Sequence, residues 1–139
     1  MSKHEDFGKY LAETYNNIFT EPLWVGCNEG WNNVIDELSK QISEVAKKYP
    51  STNGELRIRV AQIKEKFGGL RFYIDYYNMT DDDIQHIEYL VRNAEMKSFA
   101  ICEDCGGNGD RVSPRRYWMK TLCLECQNKY DMGDTPNGI

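Results

Sequence analysis

Two Cys-x-x-Cys pairs decide most of what this chain can fold into. Cys102-Glu103-Asp104-Cys105 is followed by seventeen residues and then by Cys123-Leu124-Glu125-Cys126. Paired cysteines at this spacing match a structural four-thiolate zinc site, because each knuckle is short enough for both sulfurs to reach one ion. Gly106 and Gly107 follow the first knuckle, where the backbone has to bend behind the metal. One Zn²⁺ per chain, held tetrahedrally by Cys102, Cys105, Cys123 and Cys126, leaves no coordination position for water. A closed site of this kind stabilises a fold and hydrolyses nothing. The competing readings are a redox pair, two separate thiol pairs or a disulfide framework.

A chain of 139 residues with 40% hydrophobic content points to one domain with a modest core. Structural zinc adds to that core about 10–16 kcal/mol of binding free energy, much of it folding energy. The fifth cysteine, Cys27, has no partner in the motif. An odd thiol beside a four-cysteine metal site suits a reducing compartment. The N-terminus, Met1 to Asp6, has no apolar run of signal-peptide length, and no stretch has the apolar length of a membrane span. The expectation is a cytoplasmic protein with no membrane contact.

Helix and strand periods then order the rest of the chain. Ser2 and Glu5 form a capping box for a first helix whose apolar face, Phe7 to Ile18, runs to about Phe19. Trp31, Val34, Ile35, Leu38, Ile42, Val45, Ala46 and Tyr49 define a second helix, with Asn28 as its cap and Pro50 as its stop. Leu56, Ile58 and Val60 alternate as a strand, and Ala61 and Ile63 continue one step out of phase, which predicts a bulge. Phe67-Gly68-Gly69-Leu70 reads as a two-residue hairpin turn on Gly-Gly, with Phe67 facing Leu70 and Ile63 facing Ile74. The outer face of that hairpin then carries Lys64, Lys66, Arg71 and Tyr73. Thr80 and Asp83 cap a third helix with Ile84, Ile87, Leu90, Val91 and Ala94 on one stripe. Phe99-Ala100-Ile101 leads into Cys102 without a linker, so the ribbon is expected to dock. The fold class is therefore α+β: an α+β body over 1–101, a docked zinc ribbon over 102–130 and a tail over 131–139, one compact domain together.

Three stretches also resemble a family of small phage- and prophage-encoded proteins. They are Cys27-Asn28-Glu29-Gly30-Trp31, the run Gln62-Ile63-Lys64-Glu65-Lys66-Phe67-Gly68-Gly69-Leu70-Arg71-Phe72-Tyr73, and Cys102-x-x-Cys105-Gly106 with Trp118 through Cys126. The resemblance spans roughly residues 23–127. It implies a phage origin, a zinc site and a place in the host cytoplasm, and points to no reaction.

Candidate sites follow from charge and chemistry. The formal charge is −5, which disfavours a nucleic-acid backbone as the main partner. Between the knuckles, however, Arg111, Arg115, Arg116 and Lys120 stand against one acid, Asp110, with Tyr117 and Trp118 among them. Arg, Tyr and Trp are typical of interface hot spots and of base-stacking sites. Arg115, Arg116, Tyr117, Trp118 and Lys120 are therefore the expected partner-binding surface. In the competing reading Trp118 packs on the knuckles and the arginines are merely solvated. The expected function is a non-catalytic accessory protein that binds a host bacterial protein or defence complex, with inhibition as one form that binding can take. A nucleic-acid binder using the same loop, with Lys64, Lys66 and Arg71, is the first alternative. An enzyme assembling Cys27, Glu29 and His86 is the second. Against the enzyme, Cys27 is expected to pack in the core, and Asp81, Asp82, Asp83 and Glu29 are explained by helix dipoles.

Overall fold

The computed structural model describes residues 2–115 and 118–131 of the chain. It shows four helices and two small antiparallel sheets, an α+β architecture ending in a cluster of four cysteines. The first helix, α1, spans Lys3–Thr14, and the Ser2 hydroxyl accepts the Glu5 N–H at 3.2 Å, as the capping box requires. It stops at Thr14 and not near Phe19. Ile18 and Phe19 are nevertheless buried, because the chain beyond the helix is held by its own bonds. The Ile18 carbonyl takes the Val60 N–H at 2.8 Å, and Asn17 pairs with Ser43 through side chain and backbone.

One 3₁₀ turn, Glu29–Trp31, leads into α2, Asn32–Ala46. Trp31, Ile35, Leu38 and Ile42 of this stretch are all buried. Each such side chain contributes about 1.5–3 kcal/mol of hydrophobic free energy. The strands β1, Ile58–Lys66, and β2, Gly69–Tyr76, pair antiparallel, and the register slips between Val60 and Gln62 at the expected bulge. The helix α3, Asp81–Ser98, is capped by Thr80, whose hydroxyl accepts the Asp83 N–H. It packs on both α2 and β2, burying Ile87 and Ala94. Among the described residues, no helix is long and apolar enough to cross a membrane.

The hairpin turn differs by one residue from the Gly-Gly expectation. Phe67 (φ 53°) and Gly68 (φ 84°) are the two left-handed residues, Lys66 pairs with Gly69, and Ile63 faces Phe72. Phe67 is thereby turned out to solvent, 62% exposed. Gly69 is required for another reason: a Cβ there would lie 2.5 Å from the Phe99 ring.

The ribbon consists of β3, Asp110–Arg115, β4, Trp118–Leu122, and α4, Leu124–Asp131. It grips that turn. Thr121 Oγ1 donates to the Gly68 carbonyl at 2.6 Å, and Arg111 Nε donates to the Phe67 carbonyl at 3.0 Å. These two bonds join the β3–β4 hairpin to the β1–β2 turn.

Two substitutions separate the two glycine roles. Gly68→Val places a β-branched residue at positive φ, a strain of about 1–2 kcal/mol or more. Gly69→Val forces the Phe99 ring aside, an overpacking cost of about 1–3 kcal/mol. Each should lower the melting temperature by several degrees in a thermal scan. An unchanged midpoint in Gly69→Val would contradict the close approach to Phe99.

Candidate metal centre and its anchorage

The four knuckle sulfurs lie within 4.8 Å of one another, and Cys105 Sγ and Cys123 Sγ are 3.7 Å apart. Four sulfurs at about 2.3 Å from one tetrahedral ion stand about 3.8 Å from each other, whereas a disulfide brings two to about 2.05 Å. The cysteines are not in disulfides, and their sulfurs are close enough together to hold one metal ion. Backbone amides point at the sulfurs: Gly107 N–H to Cys105 at 3.4 Å and Cys126 N–H to Cys123 at 3.3 Å. The latter bond holds the Cys123 thiol down, at about 7. Donors aimed at sulfur favour thiolates, the form a metal needs. Gly106, at φ 84°, turns the chain behind Cys102 and Cys105. The cluster is half covered: Cys102 and Cys126 are buried with Leu122, while Cys105 is exposed.

The two residues inside the first knuckle carry the anchorage. Glu103 is buried, and its carboxylate receives Lys120 Nζ at 3.0 Å and the Asn28 N–H at 2.9 Å. Its backbone carbonyl takes the Gly30 N–H at 2.7 Å, and its own N–H goes to the Thr121 carbonyl. Asp104 receives Asn28 Nδ2 at 2.7 Å and the Tyr130 hydroxyl at 2.9 Å, with Lys120 at 3.5 Å. Trp31 Nε1 donates to the Ile101 carbonyl. A Cβ on Gly30 would sit 2.2 Å from the Cys102 carbonyl oxygen, so only glycine admits the knuckle. Asn28, expected as a helix cap, makes no side-chain capping bond and serves Asp104 instead. Burial pushes the Glu103 carboxyl up and on its own would lower Lys120. Glu103 and Asp104 together outweigh that burial and hold the lysine charged.

Lys120 is therefore not part of an exposed binding loop. It is 4% exposed, because two carboxylates draw its ammonium inward. Arg111 is likewise engaged, on the Phe67 carbonyl and over the Phe99 ring at 5.0 Å. Trp118 stacks edge-on against Tyr130 at 5.4 Å, with Lys120 Nζ 5.5 Å above its ring. Arg116 and Tyr117 lie outside the described residues, as does the side chain of Arg115.

Of the residues considered for catalysis, Cys27 and Glu29 line one cavity together with His4, whereas His86 is not among that cavity's lining residues. Cys27 is buried, its thiol is pushed well up by desolvation, and among the described residues it bonds to neither histidine. His4 Nδ1 donates to the Val25 carbonyl at 2.7 Å, and His86 is at the surface of α3. Glu29 pairs with Lys3 in solvent, a contact of little energetic weight. A cavity of about 200 Å³ lies beside the joint, lined by His4, Phe7, Cys27, Asn28 and Asp104 among others.

Glu103, Asp104, Asn28 and Gly30 were not singled out as a site by sequence reasoning. Two acids enclosed by knuckle cysteines, with one lysine three residues before the second knuckle, were the available signal.

Lys120→Met leaves Glu103 buried without its partner and should destabilise by about 3–5 kcal/mol. The double variant Glu103→Leu, Lys120→Met should recover a large part of that loss in denaturant unfolding. Additive losses would show that the two side chains act independently. In the folded, metal-loaded chain at pH 8, Cys27 should remain unmodified by iodoacetamide in peptide mass mapping, because burial raises its pKa.

No protein-family model, curated protein or solved structure matches the chain. The resemblance to phage proteins rests on its three motifs alone.

Proposed function

We propose that this chain is a non-catalytic binding protein whose cysteine cluster holds one structural Zn²⁺, and that it acts in the host cytoplasm as a phage-derived accessory factor. The observation that carries this reading is the use made of the first knuckle. Its two sulfurs together with those of Cys123 and Cys126 would close the coordination sphere of one ion, and both residues between Cys102 and Cys105 are committed to joining the ribbon to the body. Four thiolates favour zinc among common cellular ions, and bound zinc here supplies cross-linking and no Lewis-acid position. The remaining thiol, Cys27, is buried and its pKa is raised by desolvation, which disfavours the thiolate and supports a role without covalent chemistry.

Native mass spectrometry should show one zinc per chain. Cys102→Ser should release it and remove the cooperative unfolding of the ribbon. An unfolding curve unchanged by that substitution, or a redox-active disulfide in place of a metal, would contradict a structural zinc.

A further inference from the structure

We propose that the outer face of the β1–β2 hairpin binds single-stranded nucleic acid, a reading that deepens the binding role above by naming its surface and partner class. The face is wider than two strands. The chain before the 3₁₀ turn runs along the free edge of β1: Gly26 N–H donates to the Ile63 carbonyl at 2.9 Å, and Glu65 N–H donates to the Gly26 carbonyl at 3.0 Å. Gly26 lies beside Lys64, so close that a Cβ there would be 3.1 Å from the Lys64 Cβ. Val25 and Cys27 point into the core, while Trp24, next to this edge in the chain, is exposed and lies with its ring 4.7 Å from that of His4 on α1.

The outer face alternates aromatics with cations. Trp24, next to its edge in the chain, is 60% exposed and Tyr73 41% exposed, and Phe67 stands at the tip. Lys64 Nζ lies 5.7 Å from the Tyr73 ring centre, and Lys66 Nζ lies 5.7 Å from that of Phe67. Among the described residues neither lysine is in an ion pair, and Arg111 adds a further cation beside the turn. The acids nearby are engaged: Glu65 on the Gly68 N–H, Glu95 on Arg71 and the Phe72 N–H, and Asp75 on Arg59. On a chain of net charge −5 this is a local cationic strip. Exposed rings interleaved with ammonium groups on a pleated surface suit bases that stack and phosphates that lie between them. A duplex hides its base faces and gains only the charge term. The turn leaves the Phe67 ring facing solvent, where a base can stack on it.

The test uses the zinc-loaded full chain with fluorescein-labelled dT12 and U12, read by anisotropy at several salt concentrations. Both single strands should bind in 50 mM salt, and the stronger of the two identifies DNA or RNA as the natural class. Three phosphates neutralised give a log–log salt slope of about −2. Trp24→Ala and Tyr73→Ala should each weaken binding about five-fold or more. Lys64→Glu with Lys66→Glu should abolish it, while circular dichroism and zinc content stay unchanged because these side chains are at the surface. Absence of saturable binding to both oligonucleotides at 100 µM protein would overturn the proposal. So would binding indifferent to the aromatic substitutions, or equal affinity for a 12-base-pair duplex. Loss of a protein partner with the same variants, and no oligonucleotide bound, would assign the face to protein recognition and overturn it too. A chain that carries one zinc but binds no oligonucleotide fails this face alone; a chain without zinc fails the structural-metal reading.

Discussion

Glu103 is a buried carboxylate, and a buried charge persists only where its partners are fixed. Here those partners come from two separate parts of the chain: Lys120 of β4, joined through the Glu103 backbone by Thr121, and the Asn28 amide before α2, joined in the same way by Gly30. The residue sits between two cysteines of the four-sulfur cluster, so the cluster and the salt bridge constrain each other. The placement of those two cysteines limits the direction in which Glu103 points. The pairing of Glu103 in turn sets where the first knuckle lies on the body. The short run Asn28-Glu29-Gly30-Trp31 works as the socket, with an amide, a glycine that admits the backbone and an indole N–H.

A second set of bonds ties the ribbon to the other end of the body. Thr121 and Arg111 satisfy both carbonyls of the hairpin turn, so β1 and β2 are clamped where they would otherwise fray. Phe99 fills the space that Gly69 leaves open, linking the end of α3 to the same turn. The outer hairpin face is therefore presented on a rigid platform. Lys64 and Lys66 lie over the Tyr73 and Phe67 rings, and among the described residues neither is in an ion pair.

The sequence was most legible where one local rule acts alone. Ser2 and Thr80 cap their helices through the expected side-chain bonds, the out-of-phase Ala61 marks a real bulge, and the cysteine spacing locates the four-cysteine cluster. Legibility failed where tertiary contacts override local preference. Gly-Gly supplies positive φ as a pair, yet Phe67 takes one left-handed position because Gly69 is needed against Phe99. Lysine is usually solvated, so the burial of Lys120 could not be read without knowing that two acids 16 and 17 positions away face it. Asn28 has the composition of a cap and the geometry of a crosslink. The α1 face was apolar to Phe19 because Ile18 and Phe19 enter the core, although the helix ends earlier.

The central claim is that the metal cluster and the α+β body form one cooperative unit joined at Glu103. Hydrogen exchange followed by mass spectrometry, comparing metal-loaded with chelated protein, tests this most directly. Metal removal should deprotect residues 102–126 and, with them, the amides at 26–31 and in the 65–70 turn. Deprotection confined to 102–126, with the socket and the turn as slow as before, would show that the ribbon is an appendage and contradict the account.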